Sequence, residues 1–558
     1  MRTKAISLFM LLFLPAIACF AQVEEARQAI ERGEYVRAVN ILSEALATRP
    51  SPDAYRYLGI AYANMREYKQ AEDVLLEGSE RYPDDSRFHD ELAGVYLANN
   101  DVERAKSALR RALDINSGDK YASDLLATID MSEGRVQAAL QAWNENGRPI
   151  VADILHNYNL NFGSWVVPQS LAFRPAGVLR YSEWKTTERR LWETENFTNV
   201  ALEIEPTPLP DQYNAVVRTS PKTNTRTDLL WGFLRGAPLK TSYLDLWNIR
   251  NSGLNFNGQY RWDANRRRMD GHFKIPLPIA SLLYVDFGDT WRSEQWDVSS
   301  VIRSEFSDRA RFRYKSNALR MQLKHIPHYR VELGVGLEYT NRAASGDLPQ
   351  LFLNSQNSGK LEAHTSLRLA TDGYQNRLHV KGFLARRSIL GDLDFSGGIA
   401  ELNNRWEISA QRLSYIDWTL KAGASRGQLP LEEYFVLGLD THPQHILRGH
   451  ATHRDSRYGR SPMGAGFLLM NLDFERRIVT LPLFNALNIP FLTVKWEVFV
   501  DAAKTFDRTR VMQQGKLWID TGASLKFESP SHSFNLVFGR SVRDGTGTLM
   551  GYIERRFW

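Results

Sequence analysis

The stretch Leu254-Asn255-Phe256-Asn257-Gly258-Gln259-Tyr260-Arg261-Trp262 decides the fold: its even positions suit hydrocarbon and its odd positions suit water. Successive side chains of an extended chain point to opposite faces, so the segment has one apolar and one polar face. The pattern recurs along the chain. Met269, Gly271, Phe273, Ile275 and Leu277 interleave with Asp270, His272 and Lys274, and Leu319, Met321 and Leu323 with Arg320, Gln322 and Lys324. Val331, Leu333, Val335, Leu337 and Tyr339 interleave with Glu332 and Glu338. A soluble sandwich would alternate in the same way. Segments of about 9–11 residues, Trp and Tyr at their ends, and a chain that stops on Phe557-Trp558 favour a barrel with a lipid-facing exterior and a polar lumen. Between Thr241 and Trp558 there are roughly sixteen strand candidates, an even count that suits a bacterial outer-membrane barrel.

The N-terminus indicates export. Arg2 and Lys4 precede the apolar run Ala5 to Phe20, with small residues at Ala16, Ala18, Cys19 and Ala21. This reads as a signal peptide over residues 1–21, cleaved after Ala21 to leave Gln22 first. Cys19 is the only cysteine, so the cleaved chain holds no disulfide. Lipidation of Cys19 would need an aliphatic residue three positions earlier, and Ala16 fits that poorly. No later stretch reaches 18 apolar residues, so no spanning helix is expected. The balance of 70 basic against 64 acidic residues is too mild to imply nucleic acid. The expected location is the outer membrane of a Gram-negative-type bacterium, with the N-terminal modules in the periplasm.

Residues 23–148 are repetitive and helical. Ala38, Ala71, Ala105 and Ala139 recur at spacings of 33, 34 and 34, and each is followed four residues later by Leu42, Leu75, Leu109 or Trp143. Leu58-Gly59 with Tyr62, Leu92-Ala93 with Tyr96, and Leu126-Ala127 recur around them; Asp130 stands where a fourth Tyr is expected. A 34-residue period with small residues at helix crossings resembles the tetratricopeptide repeat (TPR), whose helices pack too closely there for larger side chains. The implied partner is a periplasmic protein held in the groove of the array.

Residues 150–222 break the period. Ser170-Leu171-Ala172-Phe173-Arg174 reads as a strand, Tyr181 to Glu195 as a helix, and Val200–Ile204 with Tyr213–Val217 as a hairpin. The run WETENFTNVALEIEP resembles the end of a polypeptide-transport-associated (POTRA) domain, the alternative being a generic αβ linker. The barrel is expected over residues 225–558. The chain as a whole reads as α + β multidomain: an α-solenoid, a small αβ module and a sixteen-stranded antiparallel transmembrane barrel.

Within the barrel the alternation lapses between Trp418 and Val494, where the chain reads LPLEEYFVLGLDTHPQHILRGHATHRDSRYGRSPMGAGFLLMNLDFERRI. Phe435, Leu437, Gly438, Leu447-Arg448-Gly449-His450, Asn471, Glu475 and Arg476 resemble the bacterial surface antigens, the superfamily of the outer-membrane barrel-assembly insertase and the two-partner secretion translocases. The resemblance covers roughly residues 170–558. It implies that Arg448 and Gly449 lie on a long extracellular loop folded into the lumen, with the arginine meeting an acid in a Phe-x-Asp-x-Gly pattern. Phe499-Val500-Asp501-Ala502-Ala503 supplies that pattern, with Ala503 in place of the glycine and His450 in place of an aromatic. It further implies insertion or translocation of a polypeptide or lipid client, with no cofactor. The TPR array departs from the family, which usually carries POTRA domains alone. The rival readings are a passive pore and a surface-lipoprotein exporter with a TPR docking arm; the Leu447-Arg448-Gly449 loop speaks against the exporter.

Other features carry less. His442, His445, His450 and His453 cluster but lack zinc spacing and a cysteine or carboxylate partner. Arg266-Arg267-Arg268 marks a turn or a lumen rim facing phosphate-bearing lipid or lipopolysaccharide, and the solvated turn is the preferred reading. Gly459-Arg460-Ser461-Pro462 begins like a nucleophile elbow but lacks the closing glycine, and no zinc or phosphate-loop motif occurs, so no enzyme is expected.

Overall fold

The computed structural model describes residues 21–555, apart from 146, 157–164, 210, 223, 278, 280–282, 303–309, 348–355, 372–373, 410, 441–445, 455–456, 483–490, 508–515 and 530–531. Cys19 and nearly all of the expected signal peptide lie outside the described residues, as do His442 and His445.

The N-terminal part is a run of paired helices: α1 (residues 21–31), α2 (Tyr35–Thr48), α3 (Pro52–Asn64), α4 (Tyr68–Arg81), α5 (Arg87–Ala98), α6 (Val102–Ile115), α7 (Lys120–Ser132) and α8 (Val136–Glu145). Local chemistry sets their starts. Ser51 caps α3 ahead of Pro52, and Asp101 and Asp119 accept from backbone N–H groups that α6 and α7 leave unpaired. Ala38, Ala71, Ala105 and Ala139 are wholly buried, as the close helix crossings require. Leu58, Leu92 and Tyr96 are buried, and Tyr62 packs against the same cores. At Gly59 a Cβ would lie 2.5 Å from the Leu75 side chain, so only glycine fits that crossing. Where the fourth tyrosine is missing, buried Asp130 accepts from Arg135 at 2.6 Å.

Next come β1 (Ile150–His156), α9 (Val166–Ser170), α10 (Tyr181–Glu193), β2 (Phe197–Pro206) and β3 (Gln212–Pro221), with sheet order β1-β3-β2. The strand expected over residues 170–174 is not one. Ser170 ends α9, the Ala172 N–H donates to the Thr187 side chain at 2.8 Å instead of to a ladder, and Ala176 turns the chain at φ +61°. The chain divides into two compact units, one of residues 1–154, 173–181 and 204–215, the other of 155–172, 182–203 and 216–558.

The second unit is dominated by long antiparallel strands. They are β4 (Thr241–Ile249), β5 (Leu254–Asp263), β6 (Arg266–Leu277), β7 (Leu283–Asp297), β8 (Arg311–His328), β9 (Val331–Gly346), β10 (Ser358–Thr371), β11 (Tyr374–Ala385), β12 (Phe395–Ser409) and β13 (Ser414–Gly427). After a long loop holding β14 (Phe435–Val436), β15 (His453–Arg454), β16 (Arg457–Tyr458) and β17 (Met463–Gly464) follow β18 (Gly466–Pro482), β19 (Phe491–Phe506), β20 (Leu517–Glu528), β21 (His532–Ser541) and β22 (Gly547–Arg555). Each long strand pairs with the next, β13 pairing directly with β18 across the loop's base. The alternation read from the sequence holds: Tyr260, Met269, Phe273, Leu319, Met321 and Val335 are exposed, while Arg261, Asp270, Lys274 and Glu338 are buried inside. Arg266 is buried too. It opens β6 and pairs with Asp263 at 2.8 Å, because a strand start facing the lumen, not a solvated turn, occupies that position.

Asn196 donates to the Gly253 carbonyl at 3.0 Å in the turn between β4 and β5. Helix α11 (Arg226–Arg235) packs antiparallel along β4: Asn224 bonds both backbone groups of Trp247 at one end, and Phe233 stacks on Trp262, 6.3 Å away. Among the described residues fifteen long strands make up the wall, with β22 next to β4 in the strand order.

Helix α10 is fixed to one end of this barrel. Arg189 reaches the Tyr329 carbonyl and Glu332, each at 2.8 Å. Arg190 reaches the Ile326 carbonyl at 2.9 Å, and the Tyr284 hydroxyl donates to the Arg190 carbonyl at 2.7 Å.

Candidate functional site: a loop latched inside the barrel

The loop between β13 and β18 enters the lumen at the end opposite α10. Period-two alternation explains what it meets there. On β18, Asn471, Asp473 and Glu475 share the inner face, and on β19 Glu497, Phe499 and Asp501 do. Arg448 is 4% exposed and sits among them. Its Nε donates to Asp501 Oδ2 at 2.9 Å, its backbone N–H donates to the same oxygen at 2.9 Å, and Nη1 donates to Glu497 at 2.8 Å. Asp473 accepts from Nη2, and the guanidinium lies 3.6 Å from the centre of the Phe499 ring. Asn471 ties Asp501 to the Ile446 carbonyl, at 2.6 and 2.8 Å. A planar, five-donor cation is the side chain that can serve several carboxylates at once.

The next two residues use β20. The Gly449 N–H donates to Asp520 Oδ2 at 2.6 Å, and a Cβ on Gly449 would fall 2.5 Å from the Asp520 carboxyl carbon. His450 Nδ1 bonds the same oxygen at 3.0 Å, with its ring edge-on to Trp518 at 5.0 Å. Leu447 packs with Phe435, Leu437, Phe467, Leu469 and Ala503, so the methyl of Ala503 fills this cluster. At Gly438 a Cβ would lie 2.5 Å from Ser461 Oγ, which holds two runs of the loop together.

Arg448, Gly449, His450, Phe499 and Asp501 are thus brought together. Glu475 is on the same wall but serves Lys495 and Lys526, at 2.7 and 2.9 Å, and does not touch Arg448. Asp473, Glu497 and Asp520 were not singled out from sequence. The first two were legible by counting two residues from Glu475 and Phe499. Below the latch, Arg368, Arg377, Asn403, Arg405, Glu401 and Lys421 line a cavity of about 720 Å³ that Arg448 also borders.

A tetratricopeptide-repeat family model matches residues 29–95, and no curated protein matches the chain. Among solved structures, CdiB from Escherichia coli superposes with TM-score 0.54 at 12% identity, covering 79% of this chain and 88% of that one. CdiB from Acinetobacter baumannii gives 0.49 at 9% identity over 82% and 87% of the two chains. BamA from Haemophilus ducreyi lacking POTRA domains 1–3 gives 0.44 at 12% identity over 73% and 84%. The chain therefore carries helical TPR-type repeats ahead of a barrel that shares its fold with Escherichia coli CdiB.

Proposed function

We propose that this chain is an outer-membrane barrel that inserts or translocates a polypeptide or lipid client. Residues 23–148 serve as a periplasmic TPR array that captures client or partner, and residues 150–222 as a POTRA-like module. The belt of outward Leu, Val, Met and aromatic side chains on β5 to β9 suits hydrocarbon, the solvent in which a hydrogen-bonded sheet of this kind spans. No described helix is long and apolar enough to cross a membrane. The observation that carries the transport reading is Arg448 buried among Asp501, Glu497 and Asp473, the constellation implied by the likeness of the Arg-Gly loop to insertase and translocase barrels. A passive pore has no need of a latch, whereas this loop is anchored inside the lumen. Because a buried pair is close to neutral in net energy, the latch positions the loop and adds little stability.

The test is depletion of the protein followed by quantitative outer-membrane proteomics, with complementation by the wild-type chain or by Arg448→Ala. Selective loss of a few surface proteins, restored by the wild type and not by Arg448→Ala, is the expected outcome. An outer membrane unchanged in both its proteins and its lipids after depletion would return the barrel to a passive role.

A further inference from the structure

The loop that carries Arg448 holds a second set of buried charges, of opposite sign, near its start. Residues Leu431–Glu433 form a single 3-10 turn. Glu432 accepts from Arg342 Nε and from the Tyr314 hydroxyl, while Glu433 accepts from Lys360 Nζ at 2.7 Å. Arg342 is 3% exposed, Lys360 7% and Glu433 8%. These partners stand on β8, β9 and β10, whereas the carboxylates that hold Arg448 stand on β18 and β19; β11, β12 and β13 separate the two walls on the shorter way round.

The loop is tied at two more places, one between these anchors and one beyond Arg448. Asp440 lies 3.5 Å from Arg261 on β5 and accepts from the Tyr458 hydroxyl at 3.0 Å. Arg460 donates to Asp297 at the end of β7 at 3.2 Å. Beside the Glu432 turn, Trp296, Phe312, Tyr314, Phe383, Phe395 and Leu431 make a buried apolar cluster where a purely polar lumen would be expected.

We propose that the Leu431–Tyr434 turn is a second latch, charged oppositely to Arg448, and that the loop is a strap closing the lumen from two walls. Glu432 and Glu433 are its positioning residues. Each anchor is held by several charge-assisted bonds, so freeing one leaves the strap anchored by the other. The lumen opens only when both let go. A carboxylate anchor drawn to cations on one wall and a guanidinium anchor drawn to carboxylates on the other also fix the loop's orientation, because exchanging the ends would place like charges together. This inference rests on the described geometry and not on what the barrel transports.

The experiment is conductance of the purified full-length chain in planar lipid bilayers, with unboiled against boiled gel migration confirming that each variant has folded. Glu432→Gln/Glu433→Gln and Arg448→Ala should each raise the mean current by less than about twofold, so that independent effects would give at most about fourfold. Their combination should raise it about tenfold or more, a non-additive result that marks two restraints on one element. In the Arg448→Ala background, Arg342→Glu should open the pore, and adding Glu432→Arg should close it again by restoring the pair with its charges exchanged. The proposal is overturned if the combined variant conducts no better than Arg448→Ala alone, or if the charge exchange fails to restore closure in a folded barrel.

Discussion

In the helical array Leu75 and Leu109 are wholly buried and the charged side chains mostly line the outside; in the barrel Leu319, Met321 and Val335 are about half exposed, while Glu475, Glu497 and Asp501 are almost sealed. The array gains its stability by removing apolar surface from water. The barrel wall is held by backbone ladders, with its apolar side chains turned outward and its charges paired in the lumen. The same residue type therefore has opposite weight in the two regions, and substitutions that ignore this inversion should fail in opposite ways.

The largest expected effect separates the regions with one kind of change. Leu75→Ala removes a fully buried side chain from between helices and should cost the array about 2–5 kcal/mol, measured as loss of hydrogen-exchange protection in α3 to α5. Leu319→Ala, on the outer face of β8, leaves no cavity and should shift the barrel's unfolding midpoint hardly at all. Equal losses at the two positions would end the comparison. Next in size, Val335→Arg places a charge on the outward face of β9 and should cost about 2–4 kcal/mol if that face meets the middle of a bilayer. The measurement is the folded fraction in unboiled gels across a urea series; a cost near zero would mean that this face is wet.

The inversion also explains what could be read from the chain and what could not. Alternation at Leu254–Trp262 announces a two-faced strand because period two survives any register, and the 34-residue recurrence of Ala38, Ala71, Ala105 and Ala139 announces close helix crossings. The Arg448–Asp501 contact was legible through the resemblance of the Arg-Gly loop. Glu432 and Glu433 were not, since two adjacent glutamates after Leu-Pro-Leu carry no period and look like a solvated turn; only the fold brings Arg342 and Lys360 to them. Helix α11 was hidden for a related reason. Leu229 and Leu230 side by side give neither strand nor helix period, and packing along β4 decides between them.

The smallest effect tests the array through its one strongly perturbed carboxyl. Asp90, on α5, is pushed up to about 7 by burial and by the nearby carboxylates of Asp119 and Glu91. Asp119 is committed to capping α7, where it accepts from the Tyr121 and Ala122 N–H groups, so it stays in place as a negative neighbour. The unfolded chain would release the Asp90 proton near pH 4, so between about pH 4 and 7 the folded array holds more protons than the unfolded one. Stability from this group is therefore greatest at low pH and falls as pH rises through that window, the reverse of an ion-paired carboxylate. Solvent reaches part of the group and screens it, so the change should be modest. Hydrogen exchange in α5 and α7 of the full-length chain, corrected for intrinsic rates, should show more protection at pH 5 than at pH 7.5. Asp90→Asn should flatten that dependence and hold the protection of the acid form at both values. Protection that instead rises with pH in the wild type, or a slope that Asp90→Asn leaves untouched, would show that this carboxyl is not where the array stores its charge strain.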